Sequence, residues 1–259
     1  MISISTNYGS MFASKAAGAA QKSMNSAMEK LSSGLRINNA KDDAAGQGIV
    51  TRLSAEIASL NMASRNASDA QAMIDTADGA HQEVHTMLLR MREIAVQAAN
   101  GTLSDSDRAA LDSEVTALET EITSVAANTS FAGTNLGTGT AVKFQIGTKS
   151  GNVLDHTFAN FNTATLGADV SVSTVAKAAV ALGKIDAAIS TASTNRGTLG
   201  ALSNRLSSTI ANLDNVSVNL SSARGRIQDT DFAQETSNLA KSQIMQQAAT
   251  AMLAQANAS

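Results

Sequence analysis

The last third of the chain carries an apolar residue every seven positions: Leu199, Leu206, Leu213, Leu220 and Ile227. Leu202, Val216 and Ala223 stand beside that line. A seven-residue repeat keeps one stripe of a long helix turned to the same side, turn after turn. Such a helix is poorly stable alone and must lie along a partner of similar length. The repeat therefore predicts two long helices side by side, and the second has to be found.

It lies upstream. From about Ala44 to Gln97 the helical pattern runs without interruption. Leu53, Leu60, Ala67, Ile74, His81, Leu88 and Ala95 recur at seven, with Ile57, Ala77, Val84, Met91 and Ala98 alongside. At 1.5 Å per residue such a helix extends roughly 80 Å, which predicts a rod. Composition agrees. The 259 residues hold no Pro, no Cys, no Trp, and only 3% aromatics, with Tyr8 the single tyrosine. Without proline the commonest helix breaker is missing, and abundant alanine favours helix throughout. A core of Ala, Leu, Ile and Met suits closely packed helices.

Other features narrow the class. A net charge of −3 gives no electrostatic reason to expect nucleic acid or an anionic membrane. Zero cysteines exclude disulfides and thiolate metal sites. The first residues, Met1 to Asn7, lack the basic and apolar regions of a secretory signal. No window approaches the roughly 20 apolar residues of a membrane span. The expectation is a protein that is cytoplasmic, or exported without a cleaved signal.

Residues 8–32 read as a helix with Phe12, Ala16, Ala20, Met24, Met28 and Leu31 on one face. A break follows at Ser32-Ser33-Gly34, then a polar stretch to Asp43. Asn100-Gly101 predicts a left-handed cap on the long helix, and Ser104 to Asp107 supply caps for the next. That helix presents Leu111, Val115, Leu118, Ile122 and Val125. From 127 the pattern turns β-rich. Strands near Phe131–Leu136 and Ala141–Ile146 read as a hairpin about Gly137-Thr138-Gly139, with a third strand near Val153–Phe158. Helix resumes near Thr174, softens at Arg196-Gly197 and breaks at Arg224-Gly225-Arg226, before caps at Asp229 and Thr230. The last helix uses Phe232, Leu239, Met245, Met252 and Leu253.

The fold class is thus mainly α: an elongated antiparallel helical rod, formed by the N- and C-terminal halves, with a small hairpin-rich tip. Its expected segments are 1–43, a first terminal helix and hinge; 44–126, N-terminal rod helices; 127–173, the tip; 174–223, the C-terminal rod helix; and 224–259, a second hinge and terminal helix. The rod seam is Leu53, Leu60, Ile74, Leu88, Leu199, Leu206, Leu213 and Leu220. Chain reversal at the tip makes the N-terminal rod the first partner of the C-terminal stripe.

Catalytic chemistry is missing from the pattern. His81 and His85 have metal-ligand spacing on a helix, but the only other histidine is His156, and a metal needs at least three ligands. Gly147-Thr148-Lys149-Ser150 lacks a glycine directly before the lysine and reads as loop. Asn66-Ala67-Ser68 and Asn100-Gly101-Thr102 fit the glycosylation sequon, but one falls on a helix and the other at a cap, and both read as accidental. No nucleophile has a histidine in context. No cofactor is expected.

The polar breaks are the most specific stretches. Leu31-Ser32-Ser33-Gly34-Leu35-Arg36-Ile37-Asn38-Asn39-Ala40-Lys41-Asp42-Asp43-Ala44-Ala45-Gly46 resembles the N-terminal signature of bacterial flagellins. Ser222-Ala223-Arg224-Gly225-Arg226-Ile227-Gln228-Asp229-Thr230-Asp231-Phe232-Ala233 resembles the C-terminal one. The resemblance continues through Ala63–Ala67, Arg90–Gln97, Ser104–Arg108, Ile244–Ala248 and Leu253–Asn257, in order. It implies an extracellular filament subunit of the bacterial flagellum, a homopolymer whose terminal helices form an inner tube and whose rods form a shell. It implies unfolded export through the flagellar type III apparatus with a chaperone, and addition beneath a filament cap, next to junction proteins.

Gly34, Arg36, Lys41, Asp42, Asp43, Arg224, Gly225, Arg226 and Asp229 are then the hinge between rod and terminal helices. Residues matching Arg90, Arg92, Glu93, Ile94 and Glu114 lie in a subunit contact that a Toll-like innate immune receptor also reads. Here Ile94 stands where Leu is common in the family, and Leu89 where Gln is usual. The middle is too short for large outer domains, so a slim subunit is expected. The chain reaches Ser259 before the family's further leucine-rich stretch, which implies a shorter inner tube or an incomplete chain. The rival readings are a hook–filament junction protein of the same superfamily and a secreted helical interaction module.

Overall fold

Asn7 opens the first helix by accepting the N–H of Ser10 on its side chain at 3.0 Å. The computed structural model describes residues 7–258, with side chains to residue 256. The reading of residues 1–6 as no export leader, and of the chain's last residue, lies outside the described residues. Helices α1 (Tyr8–Ser33), α2 (Ala44–Ala98), α3 (Asp105–Asn128), α4 (Thr163–Leu166), α5 (Val175–Gln228) and α6 (Phe232–Ala258) carry most of the chain. Strands β1 (Ser130–Phe131), β2 (Thr134–Asn135), β3 (Ala141–Gln145) and β4 (Val153–Thr157) fall between α3 and α4. The protein is mainly α, as the periodicity predicts. It divides into two compact units, residues 1–58 with 217–259, and residues 59–216.

In the first unit α1 and α6 run antiparallel. Asn7 Nδ2 donates to the Ala256 carbonyl at 2.6 Å, Gln246 to Gln21, and Lys30 pairs with Glu235 at 3.8 Å. Their seam corrects the predicted faces. Ala13, Ala20 and Ala27 are the buried residues of α1, seven apart, and α6 answers with Ser242 and Ala249. Phe12 and Met28, expected in the seam, are exposed, as are Phe232, Met245 and Met252. Small side chains let two backbones approach closely, and a stripe of them leaves larger neighbours pointing outward.

In the second unit α2 and α5 pair antiparallel. Ser64 bonds Asp214 at 3.0 Å, Arg196 bonds Asp78 at 2.9 Å and Arg92 bonds Asp186 at 2.6 Å. One core cluster joins Val84, Leu88 and Met91 of α2 to Val115 and Ile122 of α3 and to Ile185 and Ala188 of α5. A second joins Ala67, Ile74 and Ala77 to Leu199, Leu206, Leu136, Leu154 and Phe158. The predicted α3 face is present, with Val115 and Ile122 buried and Leu111, Leu118 and Val125 packed beside them.

Three expectations about breaks need correction. Gly101 is not among the left-handed glycines; α2 ends at Ala98, and the Arg108 side chain covers its last carbonyls instead. Arg196-Gly197 does not soften α5, because Arg196 is tied to Asp78. Arg224-Gly225-Arg226 stays helical, and the interruption comes after Gln228.

The tip pairs differently from the expected hairpin. Phe131–Leu136 is not one strand: β1 and β2 pair with each other, turning through Ala132 (φ 47°) and Gly133 (φ 83°). Two successive positive φ values match the tight turn whose twist suits hairpin strands. β3 pairs instead with β4, Ala141 opposite Thr157 and Gln145 opposite Val153. Gly147 to Ser150 form the loop between them, as read. Gly137 passes so close to α3 that a Cβ there would lie 2.1 Å from the Ala126 carbonyl oxygen. That glycine marks a crossing and not a hairpin turn.

Candidate functional site

The seam residues settle by depth. Leu60, Ile74, Leu88, Leu199, Leu206 and Leu213 are buried in the second unit. Leu53 and Leu220, in the first unit, are half-buried, and Val216 beside the stripe is exposed.

The hinge residues come together within the first unit. Gly34 ends α1 in the left-handed conformation, φ 72°, its N–H donating to the Lys30 carbonyl at 2.8 Å. Its own carbonyl accepts the Thr230 N–H at 3.0 Å, and Leu35 forms a bridge with Asp229. The Arg36 N–H donates to the Gln228 carbonyl at 2.6 Å, while its guanidinium donates to the Ile227 carbonyl. Those C-terminal carbonyls of α5 have no partner within the helix, and a cation is favoured there. Ile37 beside them is buried.

Asp42 accepts the N–H groups of Asn39 at 2.9 Å and Asn38 at 3.2 Å, and its carboxyl is held below the usual range chiefly by the Asn39 bond. Lys41 sits on the same exposed turn. Asp43 caps α2 by accepting the Gly46 N–H at 2.8 Å. Arg224 reaches Ser54 Oγ, and Arg226 reaches Ser222 Oγ, each at 3.5 Å. A Cβ on Gly225 would lie 2.8 Å from an Asp229 carboxylate oxygen, so a larger residue there would push the Asp229 side chain aside.

The proposed contact residues split. Arg90 donates from Nε and one amino group to Glu114, at 3.0 and 2.8 Å, and from the other to Glu93 at 3.1 Å. The Glu114 bond, first among the causes, raises the Arg90 pKa. Arg92 is raised likewise by its bond to Asp186. The result is an exposed lattice of paired charges. Ile94 does not join it: its side chain is 1% exposed, in the core with Leu88, Met91 and Ala98. As a surface contact Ile94 is therefore corrected to a core residue beneath the charged face.

Some organising residues lie outside the apolar repeat. Arg108 is buried and donates to the carbonyls of Ala98 and Asn100, both at 3.0 Å, and to Asp105 at 3.1 Å. Asp112 accepts from Val172 N–H at 2.6 Å and Ser171 Oγ at 2.9 Å, and Glu119 accepts from Val170 N–H at 2.7 Å. Burial pushes the Glu119 carboxyl up. The spacing of seven between Asp112 and Glu119 is their one mark in the sequence. Among the described residues no group of three or more His, Asp or Glu side chains could hold a metal ion. No described helix is long and apolar enough to cross a membrane.

The bacterial flagellin N-terminal helical region matches residues 4–141, and the bacterial flagellin C-terminal helical region matches residues 182–259. The chain belongs to the bacterial flagellin family. It is 42% identical over 238 residues to a flagellin of Halalkalibacterium halodurans, covering 89% of this chain and 87% of that one. It is 37% identical to the flagellar filament 33 kDa core protein of Treponema phagedenis, covering 98% and 96%. The crystal structure of Bacillus cereus flagellin, 33% identical, superposes with a TM-score of 0.54 over 57% of this chain and 88% of that one. A putative flagellar hook-associated protein from Vibrio parahaemolyticus reaches a TM-score of 0.64 over 73% of this chain and all of that one, at 16% identity, a likeness of fold alone. As a flagellin the chain is a structural subunit of the extracellular flagellar filament, and the junction-protein reading is not favoured.

Proposed function

We propose that this flagellin polymerises by covering, with neighbouring copies, the apolar side chains that its α1–α6 pair leaves outside. The observation that carries the reading is the alanine seam. Tyr8, Met11, Phe12 and Met28 of α1, and Phe232, Ile244, Met245 and Met252 of α6, are all exposed, between 45% and 72%. Large apolar surfaces of that kind mark interaction sites on a soluble subunit. The Leu35–Asp229 hinge joins the two terminal helices to the ends of α2 and α5. The Arg90, Arg92, Glu93 and Glu114 lattice serves as a lateral contact, with Ile94 as its support.

Two further expectations follow from family membership: export through the flagellar apparatus with a chaperone, ending at a cap, and contact with a Toll-like innate immune receptor through the same charged face. Neither calls for catalysis, and the protein acts as a structural subunit only. The test is seeded polymerisation of purified protein, read by negative-stain imaging. Long filaments are expected from the unmodified chain and none from Phe12→Ser with Phe232→Ser. Normal filaments from that double variant overturn the apolar-face reading.

A further inference from the structure

Two imidazoles of the second unit are left out of every role above. His81 of α2 is 2% exposed and His156 of β4 is half-buried. Both border a cavity of about 60 Å³, whose walls also include Asn195, Thr198 and Leu199 of α5. Each ring rests on a phenylalanine of the segment that closes the tip. His81 lies 4.4 Å from Phe161 by ring centroids, and His156 meets Phe158 edge-on at 4.8 Å. His81 Nδ1 and His156 Nε2 are buried with no hydrogen-bond partner.

A neutral imidazole tolerates that setting by keeping a lone pair on the dry nitrogen and its proton on the other. An imidazolium carries a proton on both. Its dry nitrogen then becomes an unsatisfied donor among aromatic rings, and the ring's charge is stranded as well. The charged groups facing His81 are Asp78 of α2, which favours the imidazolium, and Arg196 of α5, which opposes it. These two are paired with each other at 2.9 Å, so burial dominates. The third element around the cavity, residues 156–161, brings His156 as its titratable group.

We propose that the His81–His156 cavity is an acid-release latch, which holds residues 153–161 on α2 and α5 while both rings are neutral and frees them when either is protonated. Burial holds His81 at about 4, against an ordinary 6.5, and pushes His156 down too. Well above pH 6.5 the folded and unfolded chains are both unprotonated at His81, so no stability is lost. As pH falls from 6.5 towards 4 the unfolded chain takes up a proton that the folded one refuses. By pH 4, where the folded ring is itself half protonated, His81 has weakened the folding equilibrium by roughly 150-fold, half of the limit that a shift from 6.5 to about 4 implies. A filament built of such subunits loses its tip structure first in an acidic setting.

The experiment uses the full-length monomer. Urea unfolding from pH 7.5 to 4.5 is compared with that of His81→Phe, which keeps a ring on Phe161 and cannot titrate. Asp78→Asn serves as control for the neighbouring carboxylate. His81→Phe is expected to lose roughly 100-fold less folding equilibrium over that range. Histidine ring NMR of the unmodified chain is expected to show His81 titrating well below 6.5, and hydrogen exchange at pH 5 to quicken first in residues 153–161. An unchanged pH slope in a folded His81→Phe, a His81 titration at 6.5 or above, or exchange that quickens no earlier in that segment overturns the latch. Should His81→Phe fail to fold, the ring titration alone decides.

Discussion

Arg108 shows what a single side chain contributes where no pattern announces it. It closes the end of α2 by donating to the carbonyls of Ala98 and Asn100 while lying 4% exposed at the start of α3. Removing it takes the side-chain donor from the buried Ala98 carbonyl and empties the space that the guanidinium fills. Arg108→Ala is therefore expected to cost about 2–4 kcal/mol in urea unfolding. A loss under about 0.5 kcal/mol, the range of an ordinary surface change, contradicts the capping role. Gly137 is the backbone counterpart. Gly137→Ala would push a methyl into the Ala126 carbonyl and is expected to cost about 1–3 kcal/mol, visible as an earlier thermal transition. Neither residue was legible as such in the sequence. Ser104 was, because a capping box is a local device: its oxygen accepts the Asp107 N–H while Asp107 answers to Ser104. Arg108 differs because it reaches across a turn to another helix, and residue order alone does not show that distance.

Among the elements, the heptad line of α5 and its match on α2 were legible because a buried helix face repeats its chemistry. Leu199, Leu206 and Leu213 are buried where the repeat placed them. Leu213→Asp sets an unpaired carboxylate against the α2 stripe, and no filaments are expected in a swimming assay or in negative stain; normal filaments contradict the seam. The α1–α6 seam misled for an opposite reason. Hydrophobic patterning ranks Phe and Met above Ala, yet Ala13, Ala20 and Ala27 make the contact. Small residues at seven-residue spacing carry the signal, and they do so only if backbone proximity is valued over side-chain area. Ala20→Leu accordingly forces a large side chain into a 3%-exposed site and is expected to destabilise the α1–α6 pair by about 1–3 kcal/mol, with loss of helical circular dichroism. In the tip β3 and β4 lie where the alternation places them, but they pair with each other, and Phe131–Leu136 divides at Ala132-Gly133, which turns through two positive φ values without the Asn-Gly signal of such a turn.

For the molecule as a whole, folding and polymerisation use different residues. The second unit buries its seam internally, whereas the α1–α6 pair keeps Phe12, Phe232, Ile244 and Met252 in water, each more than half exposed. A monomer leaves most of their apolar surface in water. Their presence makes sense where a neighbour removes them from water, at roughly 25 cal/mol per Å² of apolar surface covered. Ile244→Ser tests that separation at one site, on the outward face of α6. In the monomer its stability is expected to stay within about 0.5 kcal/mol of the unmodified chain, because the side chain touches mostly solvent. In polymerisation the same change forfeits most of an Ile burial, about 1.5–3 kcal/mol, for every contact it enters. That amounts to roughly a 10- to 150-fold rise in the monomer concentration left in equilibrium with filaments, measurable by sedimentation. A rise of that size with an unchanged unfolding curve assigns Ile244 to the polymer. An unchanged residual monomer concentration leaves it solvent-facing in the filament too, and a matching fall in monomer stability returns it to the fold.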